Sequence, residues 1–160
     1  MIVRKIIADD NAALAAIIRN SLLEFNAARP GTVYFDNTTD HLSDVFTHPG
    51  SAYFVIIINN IVAGGAGIFP TAGLDKDTCE LVKIYLSKTY RGQGLGQMLL
   101  EKCTEEAIRL GYKKMYLETL PELINALSMY EKNGFEKISS PLGNSGHSGC
   151  DIWMIKELAS

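Results

Sequence analysis

Paired cysteines, excess charge of one sign and long apolar runs are all missing from this sequence. Its 160 residues include three cysteines, Cys79, Cys103 and Cys150, an odd count with no Cys-x-x-Cys pair. That argues against a disulfide scaffold and for a reducing compartment, so a cytoplasmic location is expected. Fifteen Lys and Arg against eighteen Asp and Glu leave a formal charge of −3. A strongly basic nucleic-acid binder is thereby excluded, and no nucleic-acid partner is expected. The longest apolar stretch, residues 52–58, has the length of a strand and is too short to span a bilayer. The opening residues, MIVRKIIA, are charged early and lead to no small-residue cleavage site, so neither export nor membrane anchoring is expected. There are no internal repeats and no long low-complexity tract, and no metal site is expected. What remains is 47% apolar and 21% charged, ordinary for one globular domain covering residues 1–160. Glycine is the residue to follow: there are fourteen, and three of them, Gly92, Gly94 and Gly96, fall close together.

The apolar pattern predicts the order of elements. Ile2 to Ile7 reads as a strand. Asp9, Asp10 and Asn11 then offer N-caps for a helix whose Leu14, Ile17, Ile18, Leu22 and Phe25 recur at helical spacing. Leu42, Val45 and Phe46 predict a short second helix. Residues 51–58 and 61–69 read as a hairpin around Asn59-Asn60, because Asn tolerates positive φ. Gly64, Gly65 and Gly67 in its second arm predict a bulge or a close backbone approach. Cys79 to Leu86 reads as a strand and Gln97 to Leu110 as a helix. That helix turns Leu99, Leu100, Cys103, Ala107 and Leu110 inward and stops at Gly111. A strand at 114–119 and a helix at 121–133 follow. Two last strands at 135–138 and 150–156 are separated by a Ser/Gly-rich loop. Hairpins and crossover helices alternate irregularly, which predicts an α+β domain. Its single sheet is mixed and mostly antiparallel, with helices on both faces.

The strand ending at Leu86 leads through Ser87-Lys88-Thr89-Tyr90-Arg91-Gly92-Gln93-Gly94-Leu95-Gly96 into a helix. Glycines let a backbone approach a ligand closely, and a helix N-terminus presents unpaired N–H groups and a favourable dipole. The combination suits a phosphate or pyrophosphate, with Arg91 adding charge at the rim. A Walker P-loop would need GxxxxGK[ST], which is absent. A dinucleotide fingerprint would need its third glycine one residue later. Glu118 mimics the ribose-binding acid of that fingerprint, but the chain after Gly96 is too short for the rest of such a domain. A small dinucleotide binder stays as an alternative.

The run Arg91 to Gly96 fits the Q/R-x-x-G-x-G/A pattern of the GNAT (Gcn5-related) N-acetyltransferases. Ala126-Leu-Ser-Met-Tyr-Glu-Lys-Asn-Gly-Phe135 resembles the A-x-x-x-Y-E-K-x-G-F signature of the same family. The resemblance implies the acyl-CoA N-acyltransferase fold and acetyl-CoA as donor. Arg91, Gly92, Gln93, Gly94, Leu95 and Gly96, with Gln97, would hold the pyrophosphate. Ile84, Tyr85 and Leu86 would carry the pantetheine arm beside a bulge that parts this strand from the one at 114–119. Tyr130 matches the tyrosine commonly assigned as proton donor to the departing thiolate. Glu80 stands where histone-modifying relatives place a catalytic base. Strict alternation would set it on one face with Val82, Ile84 and Leu86. His147 is a competing base, and a water relay is a third option. Many members carry a cofactor-contacting Asn where this chain has Leu123, and Asn125 is the nearby substitute. The acceptor would lie under residues 24–46, where Phe25, Tyr34 and Phe35 interleave with Glu24, Asp36, Asp40 and Asp44, a setting suited to a cationic amine.

The resulting expectation is an N-acetyltransferase acting on a primary amine of a small molecule or peptide, by direct transfer in a ternary complex. No cysteine stands where an acetyl carrier would be needed. The resemblance also admits a homodimer. A CoA-binding sensor of the same fold without turnover is the alternative from another class.

Overall fold

The computed structural model describes residues 1–30, 33–121, 123–145 and 149–158. In chain order it contains β1 (Ile2–Lys5), α1 (Asn11–Glu24), α2 (Leu42–Val45), β2 (Ala52–Ile58), β3 (Ile61–Phe69), β4 (Thr78–Leu86), α3 (Leu95–Arg109), β5 (Lys114–Thr119), α4 (Ile124–Lys132), β6 (Glu136–Ile138) and β7 (Ile152–Glu157). The strands form one sheet in the order β1-β2-β3-β4-β5-β7-β6. Every neighbouring pair is antiparallel except β4 and β5, which the α3 crossover makes parallel.

Two cores sandwich the sheet. On one face Leu99, Leu100, Cys103 and Ala107 of α3 and Leu127 and Tyr130 of α4 pack on Phe54, Ile56, Met115 and Leu117. On the other, Leu14, Ile18 and Leu22 of α1 and Leu42 of α2 pack on Tyr53 and Val55. Alternate residues of β2 thus enter opposite cores, which is why this strand is apolar throughout rather than at every second position.

The Asn59-Asn60 hairpin forms as expected. Both residues take left-handed backbone, φ 51° and 65°, the pairing whose twist matches antiparallel strands. The glycines of β3 make room for a ring. A Cβ at Gly65 would sit 2.4 Å from Tyr53 Cε1 and 2.8 Å from the Phe54 carbonyl, and one at Gly67 would sit 2.6 Å from Tyr53 Cδ2. Tyr53 fills that slot fully buried, and its hydroxyl donates to the Lys83 carbonyl at 2.8 Å. Gly65→Ala is expected to destabilise the fold by about 1–3 kcal/mol, because neither the ring nor the Phe54 carbonyl has room to withdraw. Urea unfolding would measure it, and an unchanged midpoint would contradict this packing.

The Lys83 carbonyl marks the irregularity that shapes the site. Gly67 pairs with Val82 and Gly65 with Tyr85, so β4 spends one residue more than β3. The extra residue is a β-bulge at Lys83, whose φ is 53°. The bulge reverses the side-chain alternation. Cys79, Leu81, Ile84 and Leu86 all reach the α3 core, whereas Tyr85 reaches the α1 core. Glu80 therefore lies on the face opposite Ile84 and Leu86, contrary to the alternation expected for an unbroken strand. Pairing of β4 with β5 ends at Glu80 opposite Tyr116, and the two strands part beyond it.

Three boundary shifts bear on the site. Helix α3 begins at Leu95, so Leu95 and Gly96 belong to its first turn, and Leu110 at its end is 37% exposed. Helix α4 begins at Ile124 rather than Pro121, because Leu123 has a non-helical ψ of 56° and its N–H closes a turn onto Leu120. Cys150 precedes β7 rather than lying in it.

Candidate active site

The gap between β4 and β5 opens a groove of about 600 Å³. One wall is the bulged end of β4 with Ile84, Tyr85 and Leu86, and the other is α4 with Asn125, Met129 and Tyr130. The glycine loop closes one end. Gly92 (φ 77°) and Gly94 (φ 81°) both take left-handed backbone, and a Cβ on either would touch nothing within 4 Å. These glycines serve the backbone path rather than packing, and they leave the amides before α3 uncovered. A Cβ on Gly96 would meet Met129 Sδ at 3.4 Å and Leu86 Cδ1 at 3.7 Å, so this glycine forms the groove floor. Gln97 is locked by a reciprocal amide pair with Asn133, at 2.7 and 2.8 Å, which ties α3 to the end of α4.

Arg91, expected to add charge at the rim, lines the groove and is held there by several partners. The Arg91 guanidinium donates to Glu24 at 2.5 Å, to Ser21 Oγ at 2.9 Å and to the Leu86 carbonyl at 3.2 Å. It also stacks over Phe25, 5.1 Å from the ring centre. Arg91 thus fastens the loop to α1. The remaining anion-binding character rests on backbone N–H groups and the α3 dipole. Gln93 is exposed and Leu95 is buried in the α3 core, so neither side chain lines the groove.

Tyr130 borders the groove with its ring 5.8 Å from Phe135 in an edge-to-face contact. It is 5% exposed, and burial pushes its phenol above the ordinary tyrosine value. The hydroxyl therefore keeps its proton at neutral pH, as a donor must.

Where β4 and β5 part, the groove meets a small cavity of about 50 Å³. The two share Leu81, Lys83, Tyr85, Glu118, Thr119 and Leu123. Glu80 lines this cavity rather than the groove itself. It is 3% exposed and accepts from Thr71 Oγ1 at 2.6 Å. Glu118 accepts from the Tyr116 hydroxyl at 2.7 Å and from Ser145. Both carboxylates are thus oriented by hydroxyl donors. Cys150 also lines the cavity, and its thiol is pushed up to about 12 by burial with Glu118 and Glu80 nearby. A thiol held protonated is a poor nucleophile.

The expected acceptor residues separate. Phe25 lines the groove. Tyr34 and Phe35 line neither groove nor cavity; they meet edge-to-face with ring centres 4.9 Å apart, and Phe35 is 58% exposed. His147 lies outside the described residues. The acidic segment is not an open anionic surface. Glu24 holds Arg91, Asp40 holds Arg19 through two bonds of 2.6 and 2.9 Å, and Asp36 faces Lys83 at 3.8 Å while capping the Thr38 N–H. Sequence reasoning missed Lys83 and Glu118 as site residues. Glu118 was legible only as a strand-end acid, and Lys83 reaches the cavity through the bulge. Among the described residues no cluster of metal-ligating side chains occurs, and no helix is long and apolar enough to cross a membrane.

Comparison with known proteins decides the family. Residues 16–135 match the model of the Acetyltransferase (GNAT) family. The chain belongs to that family. It is 39% identical over 158 residues to the uncharacterized N-acetyltransferase YjgM of Escherichia coli, covering 98% of this chain and 95% of that one. Its fold is similar to a GNAT-family acetyltransferase of Staphylococcus aureus, with a TM-score of 0.85, 21% identity and 99% of each chain covered. It is also similar to the yncA protein of Salmonella typhimurium, solved with its cofactor acetyl-CoA, with a TM-score of 0.77, 22% identity and 100% and 95% covered. This GNAT chain is therefore an acetyltransferase whose donor is acetyl-CoA.

Proposed function

We propose that the chain transfers an acetyl group from acetyl-CoA to a primary amine of a small molecule or peptide, directly, with both reactants bound. One observation carries this reading: where β4 and β5 part after Glu80, the glycine loop, Tyr130 and Glu118 border a groove that shares wall residues with the cavity holding Glu80. Bound acetyl-CoA supplies the activated acetyl thioester. The amides around Gly92 to Gly96 would take its pyrophosphate, and Ile84, Tyr85 and Leu86 would flank its arm. Asn125, on the exposed first turn of α4, also lines the groove within reach of that arm.

The chain's own groups divide the proton work. An arriving ammonium must lose a proton before it is nucleophilic, and Glu80 takes it, directly or through a water in the cavity. Glu118, within the same space, holds the cation beforehand. Tyr130, kept neutral by burial, holds the proton that a departing thiolate needs. Cys150, kept protonated, is unsuited to carry the acetyl group, which favours direct transfer over a covalent relay.

Thiol release from acetyl-CoA across a panel of amines tests the reading. Release with at least one amine is expected, whereas tight binding without release would favour a sensor. With a true substrate, Glu80→Gln is expected to lower kcat by about 100-fold and leave acetyl-CoA affinity unchanged. An unaltered kcat would remove Glu80 from the reaction.

A further inference from the structure

Lys83 is a lysine in an unusual place. Its side chain is 7% exposed, its backbone sits in the left-handed region at the bulge, and it lines both the cavity and the groove. Among the described residues its only charged partner within ion-pair range is Asp36, at 3.8 Å and a quarter exposed. No hydrogen bond from its ammonium to a described residue accompanies that pair. A charge-assisted N–H···O bond runs to about 2.8 Å, so Asp36 neutralises Lys83 only loosely. A buried ammonium without close acceptors is costly to keep, and burial lowers its pKa from the ordinary lysine value.

The surroundings define what would satisfy it. The cavity is bordered by two carboxylates, Glu80 and Glu118, each already oriented by hydroxyl donors. Cys150 keeps its proton and adds no charge. A cation-binding end and a cation-bearing end therefore share one small space. A ligand with an ammonium alone offers Lys83 no acceptor, and a ligand with a carboxylate alone offers Glu80 and Glu118 no cation.

We infer that the acceptor is a free amino acid or a close analogue. Lys83 takes the carboxylate, while Glu80 and Glu118 receive the neighbouring amine. This rests on the acetyl-transfer reading above and narrows it, setting aside polyamines, peptide N-termini and lysine side chains within proteins, whose reactive amines have no carboxylate beside them. Lys83 is then the specificity-determining residue. Its placement follows from the bulge, since without the extra residue position 83 would alternate to the other face of the sheet.

The test compares matched series of amino acids, their carboxamides and their decarboxylated amines, measured by thiol release from acetyl-CoA. The wild-type protein is expected to favour the acids in kcat/KM by at least about tenfold, equivalent to about 1.4 kcal/mol. In Lys83→Met that preference is expected to collapse toward parity, and in Lys83→Arg to be largely kept. Equal rates for acids and carboxamides in the wild type would overturn the inference, as would a preference that survives in Lys83→Met. Should Lys83→Met fail to fold, the wild-type preference decides alone. If acetyl-CoA raises the melting temperature yet no amine of any series releases thiol, the acetyl-transfer reading itself falls, and this inference falls with it.

Discussion

Tyr130→Phe is expected to lower kcat by about 100-fold or more while leaving the fold and the acetyl-CoA KM nearly unchanged. The substitution removes one oxygen from a side chain that is 5% exposed and packed edge-to-face on Phe135. A phenylalanine ring keeps that packing and the contacts with the α3 core. What it loses is a hydroxyl proton that burial holds in place at neutral pH. The effect should therefore appear in kcat alone, the signature of an interaction made only in the transition state. Steady-state kinetics with a turned-over amine, beside a melting curve, would measure both parts. A kcat within twofold of wild type would show that the departing sulfur finds its proton elsewhere.

Filling the groove floor should have an effect of similar size on the other kinetic constant. At Gly96, a Cβ would lie in ordinary contact with Met129 and Leu86, and anything larger must enter the space between β4 and α4. Gly96→Phe is thus expected to raise the acetyl-CoA KM by about 100-fold, a cost of about 2.7 kcal/mol. The cofactor's thermal shift should disappear as well. The ligand-free protein should hold its melting temperature, because replacing a helical glycine by phenylalanine gains roughly 0.5 kcal/mol of propensity. Retention of the acetyl-CoA shift in this variant would place the cofactor outside the groove.

The sequence was most informative where local chemistry decides the conformation. Asn59-Asn60, the Gly111 stop and Gly92 and Gly94 of the loop all adopt the positive φ that their residue types suggest. The signature around Tyr130 and the loop at Gly92 to Gly96 pointed to the family, and the groove brings them together. The legible part ended where one residue's effect depends on a distant partner. Nothing in Cys79 to Leu86 announces a bulge at Lys83, whose carbonyl is held from across the sheet by the Tyr53 hydroxyl. Alternation counted through that point consequently put Glu80 on the wrong face. Charge counting failed for the same reason. Residues 24–46 look acidic in isolation, but the cations that answer them, Arg19, Lys83 and Arg91, stand outside the segment. The Gln97–Asn133 amide pair joins residues 36 positions apart, beyond any local pattern.

The Tyr53–Lys83 hydrogen bond also bears on how this scaffold could be redesigned. A donor with a bulkier acyl chain needs a wider slot, and the obvious approach is to trim the side chains along its walls. The bulged end of β4 is also held from the buried underside, where a phenol occupies the space two glycines leave and donates to the Lys83 carbonyl. Engineering for longer acyl groups should therefore begin at the Tyr53, Gly65 and Gly67 layer, with the catalytic wall left intact.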